Sequence, residues 1–332
     1  MSAAVVPFRP DDLCLPRLRL ERVRFQLEAL DPIRLPGYSG SAFRGLLGHS
    51  LRRSVCVTRA PNCDGCLLRQ HCVYSTFFES PALPAQAGQR YSALPHPFVL
   101  EPPPAGQRVI PPGDPLSLGM TLIGPASELL PYLIHALQQA GERGLGRENA
   151  RFRLLGVEQE IQTGSEQWQS VYDSQAGVLE GFRSQPPALG PAPSTLSLAL
   201  ITPLRLKQQG HYLGVQQLDA RALLGTLARR VALLMEHYQP EAEAPDWGQL
   251  QPAIDQVQLE RADLRWVDWR RYSSRQRTQM QLGGLLGSLQ LSGPGLPALW
   301  PLIALGQWLH LGKNTSFGLG RYRVVPVNAS RD

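Results

Sequence analysis

Leu309-His310-Leu311-Gly312-Lys313-Asn314-Thr315-Ser316-Phe317-Gly318-Leu319-Gly320-Arg321-Tyr322 carries an apolar helix into a glycine-rich basic loop, and the loop into a strand. Glycines take positive φ and let two backbones approach closely, so amide N–H groups can converge on an anion. Lys313 and Arg321 add positive charge, and Thr315 and Ser316 add hydroxyl donors. The stretch is neither a Walker loop, since no G-x-x-x-x-G-K-[ST] occurs, nor a Rossmann turn, because it follows a helix instead of opening one.

The pattern occurs twice. Gly141-Glu142-Arg143-Gly144-Leu145-Gly146-Arg147 is a second glycine-rich basic loop at a helix end. Before it, Arg17 to Leu30 alternates as a strand whose phase slips once, between Leu20 and Val23, as a bulge would. A helix is predicted from Ser41 to Arg53, strands over Phe98 to Glu101 and Asp114 to Ile123, a helix over Ala126 to Gln139, and a strand over Arg151 to Glu160. The order is βαββαβ. A Pro/Gly-rich stretch, Gln185 to Ser194, reads as linker, and the order then repeats. Strand Thr195 to Lys207 precedes helix Ala220 to Tyr238; strands Gln256 to Arg270 and Met280 to Ser292 precede helix Leu296 to Leu311 and strand Phe317 to Val325. Pro301 marks a kink or late start in that helix. The fold class is α+β: two tandem ferredoxin-like domains over 11–165 and 195–327, joined by a linker over 166–194, with a cysteine-rich insertion over 54–80 in the first.

With 43% hydrophobic and 18% charged residues, the 332-residue chain buries a core and is not disordered. Its net charge of +6 suits a nucleic-acid partner. Only two of the 33 basic residues are lysines, Lys207 and Lys313. Arginine forks phosphates and stacks on bases; a GC-rich genome would produce the same bias. The longest apolar run, Leu296 to Leu305, is far short of the ~20 residues a membrane span needs. No signal peptide opens the chain, so a cytoplasmic location is expected, where five cysteines do not form structural disulfides.

Cys56, Cys63, Cys66 and Cys72 give C-x6-C-x2-C-x5-C in one loop. That donor set suits a closed, structural tetrahedral zinc site; an iron–sulfur cluster uses the same ligand type. Cys14 stands alone as a packed thiol. Trp266 to Arg277 interleaves aromatics with arginines. Arg270, Arg271, Tyr272 and Arg275 are candidate RNA contacts, the arginines for phosphates and the ring for a base. No paired acidic cluster of the two-metal kind is present, which disfavours a metal-dependent nuclease.

The glycine-rich loop after a helix resembles the signature loop of the RAMP superfamily, the RNA-binding proteins of CRISPR systems. Phe43-Arg44-Gly45, Cys63-Asp64-Gly65-Cys66, Pro95-His96-Pro97-Phe98-Val99-Leu100, Thr202-Pro203-Leu204-Arg205-Leu206-Lys207, Tyr272-Ser273-Ser274-Arg275-Gln276 and the loop from Gly312 to Gly320 resemble, in that order, one branch of it. That branch holds the endoribonucleases that cut precursor crRNA in its repeats. The resemblance implies metal-independent RNA cleavage with a histidine near the first helix. His49 fits: on a helical wheel it lies across from Phe43, Leu46, Leu47, Ser50 and Leu51, beside Gly45, Arg52 and Arg53. Its imidazole can move a proton near neutral pH. Arg52, Arg53 or Arg44 could supply cationic stabilisation, and Tyr38 is a further hydroxyl carried over from the family. His310 competes as the catalytic histidine and is otherwise expected at the RNA or shaping the loop. The remaining RNA-contact candidates are Arg44, Arg53, Lys207, Lys313, Thr315, Ser316 and Arg321.

The reading is an endoribonuclease that binds CRISPR repeat RNA and cuts the 3′ side of its stem-loop by 2′-OH attack. The products would be a 2′,3′-cyclic phosphate or 3′-phosphate and a 5′-OH. It would use structural zinc and no catalytic cofactor, and join other CRISPR effector-complex proteins. The alternative is a RAMP subunit that holds crRNA without cutting it.

Overall fold

The computed structural model describes residues 18–80, 94–242, 247–273 and 278–326, and two compact units divide them. Cys14 and Arg275 lie outside the described residues.

The first unit spans Arg19–Ala188 and also includes Ser316–Gly318. Its elements are β1 (Leu20–Ala29), β2 (Ile33–Leu35), α1 (Gly40–Val55), α2 (Val73–Phe78), β3 (Phe98–Glu101), β4 (Arg108–Ile110), β5 (Pro115–Ile123), α3 (Leu130–Arg143), β6 (Phe152–Glu160) and β7 (Trp168–Asp173). The main sheet is antiparallel in the order β3-β5-β1-β6-β7, which is the ferredoxin-like order with β7 added at one edge. In β1 the alternation buries Val23, Phe25, Leu27 and Ala29 in one core with α1 and α3. The bulge sits elsewhere than the sequence suggested. Pairing with β6 shifts between Gln26 and Leu27, where Leu155 is the extra residue and is turned outward. Residues 166–194 are not all linker, because Trp168–Asp173 pairs with β6. The predicted helix from Ala126 begins as a 3-10 turn, Gly124–Leu129, before Pro131 starts α3.

The other face of this sheet holds a buried ion cluster. Arg22 donates to both oxygens of Glu101 at 3.3 Å and to Glu160 at 2.8 Å, with Glu166 at 3.4 Å. The Arg22 side chain is 5% exposed and that of Glu160 is 0% exposed. Burial alone would lower the Arg22 pKa; the surrounding carboxylates outweigh it and raise it.

The second unit contains β8 (Thr195–Leu204), β9 (Lys207–Gln208), β10 (His211–Tyr212), α4 (Ala220–Tyr238), α5 (Trp247–Asp255), β11 (Gln258–Val267), β12 (Arg270–Ser273), β13 (Thr278–Gln281), β14 (Gly284–Ser292), α6 (Leu296–Leu309) and β15 (Tyr322–Pro326). Its sheet, β11-β14-β8-β15, repeats the same strand order. α4 starts where the Asp219 carboxylate accepts the Ala222 amide at 2.6 Å. α6 is buried on most sides and runs through Pro301 without ending. Gly306 leaves room for the Tyr322 hydroxyl, which donates to the Ile303 carbonyl at 2.6 Å. The expected strand over Gln256 to Arg270 stops at Val267. Arg270–Ser273 instead pairs with Thr278–Gln281 as a separate hairpin. Among the described residues no helix is long and apolar enough to cross a membrane.

Candidate active site

The glycine-rich loop begins where α6 ends. Arg230 on α4 donates to the Leu309 carbonyl at 3.0 Å, capping that end. Burial brings the Arg230 guanidinium down to about 10. His310 follows with φ +57° and is 0% exposed; its Nδ1 lies 3.3 Å from the Leu319 carbonyl. It therefore braces the loop from inside and is not on its surface. Gly320, at φ +74°, packs directly on the Leu311 backbone, where a Cβ would collide with the carbonyl. Thr315 and Ser316 are also buried, so their hydroxyls serve the protein's interior. Lys313 is exposed and Arg321 half-buried.

Ser316 and Phe317, which group with the first unit, contact Arg44 on α1. Gly40 opens this helix because the Phe317 carbonyl lies where a Cβ would be. Tyr38 donates to that same carbonyl at 2.6 Å, so its hydroxyl is engaged in holding the loop. One turn on, Arg44 Nε donates to Ser316 Oγ at 3.1 Å. The guanidinium lies 4.5 Å from the Phe317 ring centre and 5.0 Å from that of Phe78. Its Nη2 is 3.2 Å from His96 Nε2, and His96 Nδ1 is 2.8 Å from Ser80 Oγ. A cation held over two rings and beside an imidazole is a fitting receptor for a phosphate.

Sequence reasoning placed Tyr38, Arg44 and Ser316 among the candidates and left out His96, Ser80 and Phe317. The available signal for His96 was its position between two prolines just before β3.

His49 is exposed, while Phe43, Leu47, Ser50 and Leu51 of the same helix are buried. It lies roughly 140° around the helix from Arg44. Arg53, one turn beyond, is exposed as well. Arg52 is turned to the cysteine loop: it donates to the Ala60 carbonyl at 2.5 Å and lies over Tyr74.

Cys56, Cys63, Cys66 and Cys72 line one pocket beside Tyr74. Thr58 Oγ1 sits 3.9 Å from the Cys56 sulfur and 4.0 Å from that of Cys66. Burial would raise the Cys56 thiol, but hydrogen bonds from Thr58, the Arg59 amide and Arg52 bring it down. Burial pushes the Cys63 thiol up, helped by Glu79 and the neighbouring thiols. Among the described residues no three His, Cys, Asp or Glu side chains are drawn together closely enough to hold a metal.

In the second unit, the Arg205 guanidinium stacks 4.3 Å from the Tyr212 ring, and exposed Lys207 approaches the same ring at 5.9 Å. Arg270, Arg271 and Tyr272 lie on β12.

The family model "AF_1859_N: N-terminal domain" matches residues 18–184, and the model "CRISPR-associated endoribonuclease Cas6" matches residues 198–322. An uncharacterized protein of Archaeoglobus fulgidus is 22% identical over 92% of this chain and 98% of its own length. Thermus thermophilus Cas6 superposes with TM-score 0.52 at 15% identity, covering 93% of this chain and 99% of that one. A partial Cas6-RT-Cas1–Cas2 complex superposes with TM-score 0.55 at 14% identity, covering 94% of this chain and 47% of that one.

Proposed function

We propose that this chain belongs with the Cas6 endoribonucleases, whose family model matches residues 198–322, and that it cuts CRISPR repeat RNA by attack of the RNA's own 2′-hydroxyl. The match to the CRISPR-associated endoribonuclease model supports repeat-RNA binding and processing. The observation that carries it is Arg44, a cation held beside the glycine-rich loop by Ser316, Phe317 and Phe78. In-line attack by the 2′-oxygen on the adjacent phosphate needs charge stabilisation and proton transfer, both of which side chains supply without metal. Arg44 holds an RNA phosphate beside the loop, Arg53 stabilises the cleaved phosphate, and His49, one turn from Arg53 on the exposed face of α1, handles a proton. The products are a 2′,3′-cyclic phosphate and a 5′-hydroxyl. Arg53 in the first unit, and Lys207, Lys313, Arg321 and the arginines of β12 in the second, are further candidates for RNA contacts. Association with other CRISPR proteins fits the relative that occurs in a Cas6-RT-Cas1–Cas2 complex.

The test is cleavage of repeat RNA by purified protein in EDTA. One substrate is all-ribose; the other carries a single 2′-deoxy substitution at the cleaved nucleotide. The first should be cut and the second only bound. Cutting of the deoxy substrate, or a requirement for added magnesium or manganese by the zinc-loaded protein, would overturn the mechanism. Tight binding with no cutting of either would favour a subunit that only holds crRNA.

The four cysteines are proposed to hold one structural zinc, whose binding would draw together four thiols that now only line one pocket, because four thiolates are the donor chemistry of a closed site. Elemental analysis should return about one zinc per chain. Cys63→Ser should lose the metal and lower the melting temperature, because metal binding is folding free energy. Metal-free protein with an unchanged melting temperature in the variant would refute the site.

A further inference from the structure

The acidic residues of the chain are unevenly placed. No Asp or Glu occurs between Glu180 and Asp219, nor between Asp268 and Asp332. The second unit brings these two acid-free stretches together, because β8 pairs with β14 on one side and β15 on the other. The glycine-rich loop is stitched to the end of β8 as well. The Lys313 amide donates to the Arg205 carbonyl at 2.8 Å, and the Gly320 amide to the Pro203 carbonyl at 3.0 Å. The β9–β10 hairpin leaves from the same junction, closed where the Leu213 amide donates to the Leu206 carbonyl at 3.0 Å. The only two lysines of the chain, Lys207 on the hairpin and Lys313 on the loop, are thus carried to one place, and both are exposed. A lysine is a compact charge on a flexible stem, suited to a phosphate whose position varies.

The hairpin also presents Tyr212, which pairs with Lys207 and is 43% exposed. Arg205, itself 5% exposed, holds its guanidinium 4.3 Å from the centre of that ring, and the Lys207 ammonium lies 5.9 Å away. The Arg205 stem is packed in turn on Gly284, where an added Cβ would meet its Cγ at 3.1 Å. A ring seated against a buried cation keeps its orientation, so little entropy is lost when a flat group stacks on it. We propose that Tyr212 is a stacking platform for a base in an unpaired stretch of RNA, with Lys207 and Lys313 holding the phosphates beside it. This rests on the repeat-RNA reading above and narrows its ligand to single-stranded RNA. A base can lie on the ring only where it is not paired within a duplex, and every base has a face to offer, so the platform grips without reading sequence.

The test measures affinity for repeat RNA carrying the 2′-deoxy substitution at the cleaved nucleotide, once as a single strand and once annealed to its complement. Tyr212→Ala should weaken single-strand binding by ~10- to 100-fold, the usual worth of one stacked base, and leave duplex binding unchanged. Tyr212→Phe keeps the ring and loses only the hydroxyl, so it should bind as wild type. Lys207→Ala and Lys313→Ala should each reduce the salt dependence of single-strand binding by about one phosphate contact. 5-Iodouridine in the single strand should photocrosslink to Tyr212, as mass spectrometry of the digest would show. Wild-type affinity in Tyr212→Ala, an equal loss on the duplex, equal weakness in Tyr212→Phe, or crosslinks confined to other residues overturns the platform. A wild-type protein that binds the single strand yet cuts no all-ribose repeat RNA brings down the cleavage reading and not this one.

Discussion

Replacing His49 by alanine is expected to slow single-turnover cleavage by ~100- to 10,000-fold, the usual contribution of a proton-transfer group. RNA affinity should change little, because the arginines and lysines, not His49, supply the attraction for phosphate. His49 is exposed on α1 with Arg53 one turn beyond, so removing it opens no cavity and unpairs no buried group. The melting temperature is the control and should not move. His310→Ala should behave otherwise. Its ring is fully buried behind the loop, so the variant should lose stability and RNA affinity together, and saturating enzyme should recover much of the rate. Wild-type cleavage by His49→Ala would remove it from the mechanism.

Arg22→Ala should have the largest effect on folding. It leaves the Glu160 carboxylate, 0% exposed, and most of Glu101 buried without their cation. Breaking a buried ion pair from one side typically costs about 3–5 kcal/mol. Urea unfolding should show the midpoint falling accordingly. Arg151→Ala is the comparison: its pair with Asp31 lies at the surface, where solvent screens it. Similar small losses in both variants would show that water reaches the Arg22 cluster.

The fold was legible where apolar periodicity was strong. α4 coincides with its predicted bounds, Ala220–Tyr238, because leucines recur there at helical spacing between Asp219 and Gln239. The exposure of His49 followed from the same geometry, since a helix fixes which residues share a face. β7 and α5 were missed for local reasons: Trp168–Asp173 is a short edge strand of mixed polarity, and α5 contains Pro252. The last strand was expected from Phe317, but Thr315–Phe317 is a 3-10 turn and pairing begins at Tyr322. The Arg44–His96–Ser80 chain was not legible at all. It depends on a tertiary return of the chain from α2 to β3, and nothing in the spacing of 44, 80 and 96 reports it.

The two halves share one strand order, and at one corresponding connection each carries an extra helical segment. In the first, the cysteine loop and α2 lie between α1 and β3; in the second, α5 lies between α4 and β11. Each extra segment therefore occupies the same joint of the repeat, after the first helix and before the second strand. If the halves descend from one duplicated ancestor, that joint is where each copy later accepted new chain without disturbing its sheet. It is accordingly the place to graft a reporter or shorten the protein: a deletion in the α5 joint should leave the second half's strand order intact, whereas one within α4 should not.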